Sequence, residues 1–118
     1  KIKTICESIA EGFGGTCDVL IDVGYPFLNN DEILTNNAFQ LAKEYLGEEH
    51  VEEMPARMTA EDFSYYSQVV PACFYRLGTG NAAKGITSPV HTPTFDVDEN
   101  CLKIGAGLMA WIAMNELK

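Results

Sequence analysis

Histidine is scarce in this chain: His50 and His91 are the 2 among 118 residues. Positive charge is scarce as well, with 8 Lys and Arg against 17 Asp and Glu and a formal net charge of -9. Such a surface repels phosphate backbones and anionic lipids, so neither nucleic acid nor membrane is an expected partner. The longest apolar run lies in "GAGLMAWIAM", too short and too glycine-rich to span a bilayer. Cys6, Cys17, Cys73 and Cys101 form no CxxC pair and no regular framework, which leaves zinc knuckles and patterned disulfide staples unsupported. Four reduced, mostly buried thiols in a cytoplasmic protein are expected instead. No basic export segment opens the chain; its first residue is Lys rather than Met, so that absence says little.

What is present has the composition of a globular protein, 47% hydrophobic and 21% charged, in a chain long enough to bury a core. Residues 1–12 place Ile2, Ile5, Cys6 and Ile9 on one helical stripe, with Gly12 as the stop. "TCDVLIDVGY" alternates apolar and polar residues and reads as a strand with one wet face. "GYPFLNND" breaks that pattern and is the best candidate for a boundary. Asn30 is expected to cap a helix from Asp31 to Leu46, with Leu34, Ala38, Leu41, Ala42 and Tyr45 inward and Gly47 as terminator.

An acidic connector follows, with a short strand expected around Val51 to Met54. Thr59 and Asp62 stand at capping-box spacing before a short helix in "AEDFSYYSQV". Pro71 then separates that helix from "ACFYRLG", read as a buried strand. After a loop from Gly78 to Phe95, a last helix is expected from Asp98 to Glu116. Its inward stripe would be Leu102, Gly105, Ala106, Met109, Ile112 and Ala113, small enough for close packing on a sheet. The leading helix and strand, roughly 24 residues, cannot bury their apolar face alone.

Three segments carry residues suited to chemistry. In "TSPVHTPTFDVDE", Pro89 and Pro93 restrict the backbone around His91, which suits an imidazole that must be aimed. A lone loop histidine is also an ordinary hydrogen-bonded structural residue, and zinc needs two or three further protein ligands that the neighbourhood lacks. Asp96 or Asp98 would either accept from the second imidazole nitrogen or cap the last helix. In "RLGTGNAAKG", glycines let the backbone approach a ligand, so successive N–H groups of Gly78, Thr79, Gly80 and Asn81 can meet an anion; a flexible turn is the plainer reading. Glu61 and Asp62 stand where a helix start favours carboxylates, whether or not one of them faces a site.

Taken in order, "EDFSYY", "VPACFYRLG" and "HTPTFDVDE" before a long terminal helix resemble the C-terminal part of the M20 metallopeptidase family. The amidohydrolase branch, which includes aminoacylase- and hippurate-hydrolase-like enzymes, is the nearest likeness. The resemblance implies an α/β fold: the C-terminal part of an αβα zinc-exopeptidase-like catalytic domain, preceded by the last helix and strand of a ferredoxin-like lid or dimerisation domain. Residues 1–25 would end the lid, and residues 26–118 would be the returning part of the catalytic domain.

It further implies that His91 is a metal ligand of a two-metal hydrolytic centre, with the other ligands and the glutamate general base upstream of Lys1. In such a centre metal polarises the scissile amide and lowers the pKa of bound water. Zinc is the first expectation, and manganese, cobalt or nickel also accept imidazole. Gly78, Thr79, Gly80 and Asn81 would line the substrate pocket; Glu61 and Asp62 would support the site from behind. The substrate would be a small N-acyl amino acid or peptide. The chain by itself would be inactive and metal-free, because one imidazole cannot hold zinc usefully. Orphaned lid elements with an open strand edge would pair with a second copy, giving a dimer peculiar to the fragment, and a homodimer is the expected assembly. A non-catalytic acidic α/β binding or structural module, and a different zinc exopeptidase family of similar shape, remain as the other readings.

Overall fold

Helices form where apolar residues recur at helical spacing. In the computed structural model, which describes residues 1–117, these are α1 (Ile2–Gly12), α2 (Glu32–Leu46), α3 (Ser64–Ser67) and α4 (Asn100–Glu116). Short 3-10 turns occupy Glu48–His50 and Ala82–Lys84. Lys118, the last residue of the second expected unit, lies outside the described residues.

The α2 span agrees with its sequence pattern, but its cap does not. Asp31, rather than Asn30, accepts the hydrogen bond that closes the first turn, from Leu34 N at 2.9 Å. Asn30 is turned instead to the main chain of Phe74. Gly47 ends the helix at φ 94, a left-handed value that costs glycine little. Ala38 and Ala42 are buried, Leu34 and Leu41 half-buried, and Tyr45 exposed.

The expected stripe on α4 is corrected by about one residue. Cys101 and Leu108 are buried with Gly105 and Ile112 half-buried, whereas Leu102, Ala106, Met109 and Ala113 face outward. The physical reason is the partner: α4 packs on α2, not on a sheet. Small residues still permit the approach. A Cβ on Gly105 would stand 2.6 Å from Leu77 Cδ2, and one on Gly107 would collide with the Tyr45 hydroxyl. Tyr45 in turn stacks on Trp111, ring centroids 6.3 Å apart.

No strand is present among the described residues. The two stretches expected as main strands, in 16–25 and 72–78, and the short one at Val51–Met54 have no regular structure; the isolated bridge Asn81–Ile86 stands outside them. A strand exists only by pairing with another, and residues 16–30 make no main-chain to main-chain hydrogen bond among the described residues. Alternation is therefore retained in the sequence without a ladder to express it.

The consequence is an open shape of 63 × 39 × 19 Å with a radius of gyration of 20.6 Å. A compact chain of this length would have roughly 13 Å. The accessible surface, 9842 Å², likewise exceeds the roughly 6300 Å² usual for this mass. Helix α1 touches none of the other helices, and Ile2, Ile5 and Ile9 on its apolar stripe are exposed. All four cysteines are free thiols. No helix among the described residues is long and apolar enough to cross a membrane.

Candidate functional site

His91 sits at the apex of a loop tied by hydroxyl groups. Thr92 Oγ1 donates to Pro89 O at 2.8 Å, Phe95 N to Thr92 O at 3.1 Å, and the hydroxyls of Ser88 and Thr94 share a hydrogen bond of 2.8 Å. His91 is exposed and holds φ 65, the one positive φ of a non-glycine among the described residues. A backbone angle there costs an L residue roughly 1–2 kcal/mol relative to right-handed helix geometry, and such residues concentrate where a side chain must be presented. Its ring has no hydrogen-bond partner among the described residues. The carboxylates expected to orient it are engaged elsewhere: Asp96 accepts from Val97 N at 2.8 Å, and Asp98 faces the preceding loop.

That preceding loop is closed on itself and then fixed to α4. Asn81 and Ile86 exchange main-chain hydrogen bonds of 2.8 and 2.9 Å, and Gly85, at φ 74, makes the turn between them. Asn81 Oδ1 accepts from Lys84 N at 3.3 Å. Its amide nitrogen donates to Asp98 Oδ2 at 2.6 Å, while Lys84 Nζ donates to Asp98 Oδ1 at 2.7 Å. Asp98 N completes the tie by donating to Thr79 O at 2.8 Å. Hydrogen bonds from Lys84, then Asn81, then the Asn100 N–H hold the Asp98 carboxyl at a pKa of about 2, below its ordinary 3.8.

Of the four expected pocket residues, Asn81 therefore gives its side chain to the loop's own architecture. The N–H groups of Gly78, Thr79 and Gly80 have no acceptor among the described residues. Lys84 and the loop-facing role of Asp98 are not evident from the sequence pattern. The available signal is Lys84 itself, the one Lys or Arg between Gly78 and Phe95 in an acidic chain.

Glu61 and Asp62 begin the α3 turn. Glu61 Oε1 accepts from Phe63 N at 3.2 Å and its carbonyl from Ser64 N, so the carboxylate serves the local turn. Thr59 and Asp62 make no capping box, and α3 has no side-chain cap. Phe63 packs between Tyr66 and Phe74, at 5.6 and 5.5 Å. No hydrogen bond or ion pair among the described residues joins Glu61 or Asp62 to His91 or to the 78–81 segment.

No group of three or more His, Cys, Asp or Glu among the described residues is arranged to hold a metal ion. One exposed imidazole does not make a metal centre by itself. A hollow of about 310 Å³ lies beside the tie, with Lys84, Ile86 and Asp98 in its wall, and His91 is not part of it.

Residues 5–115 match Peptidase family M20/M25/M40. Among similar proteins, IAA-amino acid hydrolase ILR1-like 6 of Arabidopsis thaliana is 36% identical over 89 residues, 75% of this chain and 19% of that protein. Thermostable carboxypeptidase 2 of Saccharolobus solfataricus is 33% identical over 114 residues, 96% of this chain and 28% of its own length. N-acetyldiaminopimelate deacetylase of Pediococcus pentosaceus is 28% identical over 118 residues, 99% of this chain and 29% of its own. The chain thus spans less than a third of the curated relatives it matches. No solved structure matches it. With a match extending over nearly its whole length, the chain belongs to peptidase family M20/M25/M40.

Proposed function

We propose that this chain is the C-terminal portion of a metal-dependent hydrolase that cleaves the amide bond of N-acyl amino acids or small peptides. The family match over residues 5–115 carries the reading. The functions named for the relatives support the substrate class: an amino acid conjugate, a peptide C-terminus and an N-acetyl amino acid all present an amide next to a carboxylate. His91 is assigned as the chain's one ligand to a pair of divalent ions, zinc first, with manganese, cobalt or nickel as the other candidates. Its exposure and left-handed backbone support that role. Because the described residues do not complete a metal centre, no hydrolytic step is assigned to a residue of this chain.

The 78–81 segment is assigned to the substrate's carboxylate through the N–H groups of Gly78, Thr79 and Gly80, with Asn81 shaping the loop. Glu61 and Asp62 are assigned a supporting role behind the site, Glu61 by fixing the turn that places Phe63 against Phe74. The parent fold is proposed to be αβα, with residues 1–25 ending a lid domain and residues 26–118 in the catalytic domain. The isolation of α1 and the unpaired alternating stretch 16–25 support that division. Cytoplasmic location and a homodimer through the lid complete the proposal.

The test uses the chain and its parent side by side. The full-length protein should hydrolyse N-acetyl amino acids or dipeptides, lose activity to a chelator and lose it in His91→Ala. The 118-residue chain should be inert and bind zinc weakly. Calorimetry showing sub-micromolar zinc affinity at one site per chain, abolished by His91→Ala, would contradict the assignment, as would a full-length protein inert toward both substrate classes.

A further inference from the structure

Asp98 makes more connections than a helix start requires. The turn that leads into α4 accounts for two: Asn100 N donates to its carboxylate at 3.2 Å and Cys101 N to its carbonyl at 2.9 Å. The others all go to one loop and reach its beginning, middle and end. Its N–H holds Thr79 O, Oδ2 holds the Asn81 amide, and Oδ1 holds the Lys84 ammonium. Serine or threonine could make the same short-range bond to the Asn100 N–H; neither offers two oxygens and a charge to the loop.

The loop has little else to hold it. Gly78, Gly80 and Gly85 loosen its backbone, and apart from the Asn81–Ile86 bridge its turn is local. Asp98 also lies on the segment that descends from the His91 loop into α4, so the same residue sets the spacing between two loops. Lys84 is neutralised by the contact, at 2.7 Å, and so does not present a free positive charge beside the N–H groups of Gly78 to Gly80.

We propose that Asp98 is a positioning residue, which fixes the 78–86 loop on the start of α4 and thereby sets its unengaged main-chain N–H groups relative to His91. The inference rests on the reading that these N–H groups meet the substrate's carboxylate. Asp98 touches no reacting atom; it acts through Thr79, Asn81 and Lys84. Recognition of the carboxylate then depends on neutral main-chain donors held in register, and loosening the loop weakens binding more than turnover.

The experiment uses the full-length enzyme with an N-acetyl amino acid as substrate. Asp98→Ala should raise KM by about tenfold or more and leave kcat within about threefold, the pattern of lost ground-state and transition-state binding together. Asp98→Asn keeps one acceptor oxygen, enough for either the Asn81 amide or the Asn100 N–H but not both, and loses the charge that holds Lys84. Its KM should fall between those of the wild type and Asp98→Ala, so the test survives if the alanine variant misfolds. Lys84→Met, which removes one of the three contacts between Asp98 and the loop, should raise KM less than Asp98→Ala. Amide hydrogen exchange across residues 78–86 should quicken in Asp98→Asn and Asp98→Ala while α2 stays protected. Unchanged exchange would overturn the tie itself, and faster exchange with unchanged KM would overturn its role in substrate positioning. A wild-type enzyme inert on every N-acyl amino acid would defeat the functional reading, and exchange would still decide whether Asp98 holds the loop.

Discussion

Asn30 and Phe74, 44 residues apart in sequence, are joined by a ring of two hydrogen bonds in which a side-chain amide takes the place of a neighbouring strand. Asn30 Nδ2 donates to Phe74 O at 2.9 Å, and Phe74 N donates to Asn30 Oδ1 at 2.8 Å. Beside it, Asp31 N donates to Ala72 O at 2.9 Å and Gln68 Nε2 to Phe27 O at 2.9 Å. These contacts fasten the "YPFLNND" segment to the chain leading toward the 78–86 loop, so the entrance to α2 and the candidate pocket are placed together.

Replacing Asn30 by Ala would leave both main-chain groups of Phe74 without a partner in a half-buried setting. The expected loss is about 1–3 kcal/mol in urea denaturation. Asn30→Asp keeps the acceptor but sets a carboxylate oxygen against the Phe74 carbonyl, and should be no milder. A loss under about 0.5 kcal/mol for both would mean that water replaces the ring without cost.

His91→Gly removes the steric cost of φ 65 and loosens the unfolded chain, two effects of opposite sign and each about 1 kcal/mol. Stability should therefore change by less than about 1 kcal/mol, while the full-length enzyme should lose bound metal. Metal analysis and thermal denaturation of the same samples check this. A large drop in stability with metal retained would make His91 a structural residue.

Asp98 gives a pH dependence whose sign follows from its depressed pKa. The folded group, at about 2, binds fewer protons than the unfolded one at 3.8, so stability rises with pH between those values and is fully present above 3.8. It is lost as pH falls through about 2. A carboxyl carbon titration by NMR should place Asp98 well under 3.8, and Lys84→Met should move it upward. A midpoint at or above 3.8 would show that the ion pair does not persist in solution.

Gly107→Ala sets better helix propensity, worth about 1 kcal/mol, against displacement of the Tyr45 ring. Tyr45 is 43% exposed and can swing outward, so net stability should change by less than about 1 kcal/mol. The stack on Trp111 should nevertheless be lost, and Trp111 is the one tryptophan in the chain. Its fluorescence should therefore shift in Gly107→Ala and in Tyr45→Ala alike. An unchanged emission spectrum would place the ring contact in doubt.

Local rules make part of this protein legible in the order of its residues alone. Helical spacing locates α1 and α2 to within a residue at most ends, Gly47 marks the end of α2, and prolines mark the His91 segment as a loop. These features depend on residues within one or two turns of each other, so the sequence contains all their partners. The family likeness is legible for the same reason, as three short motifs in order.

Other features depend on distant partners, and only the tertiary structure decided them. Asn30 and Asp31 are equally good caps in isolation; Phe74 decided between them by engaging Asn30. The inward face of α4 was settled by Leu77 and Tyr45, which reach Gly105 and Gly107. Alternation in 16–25 specified which side chains would share a face, and the apolar run in 72–78 suggested a buried segment, but neither specified a sheet, since main-chain ladders need a second strand alongside. Lys84 and Asp98 met across a loop because a half-buried carboxylate gathers whatever donors the fold brings within reach. Spacing alone carries no record of that encounter.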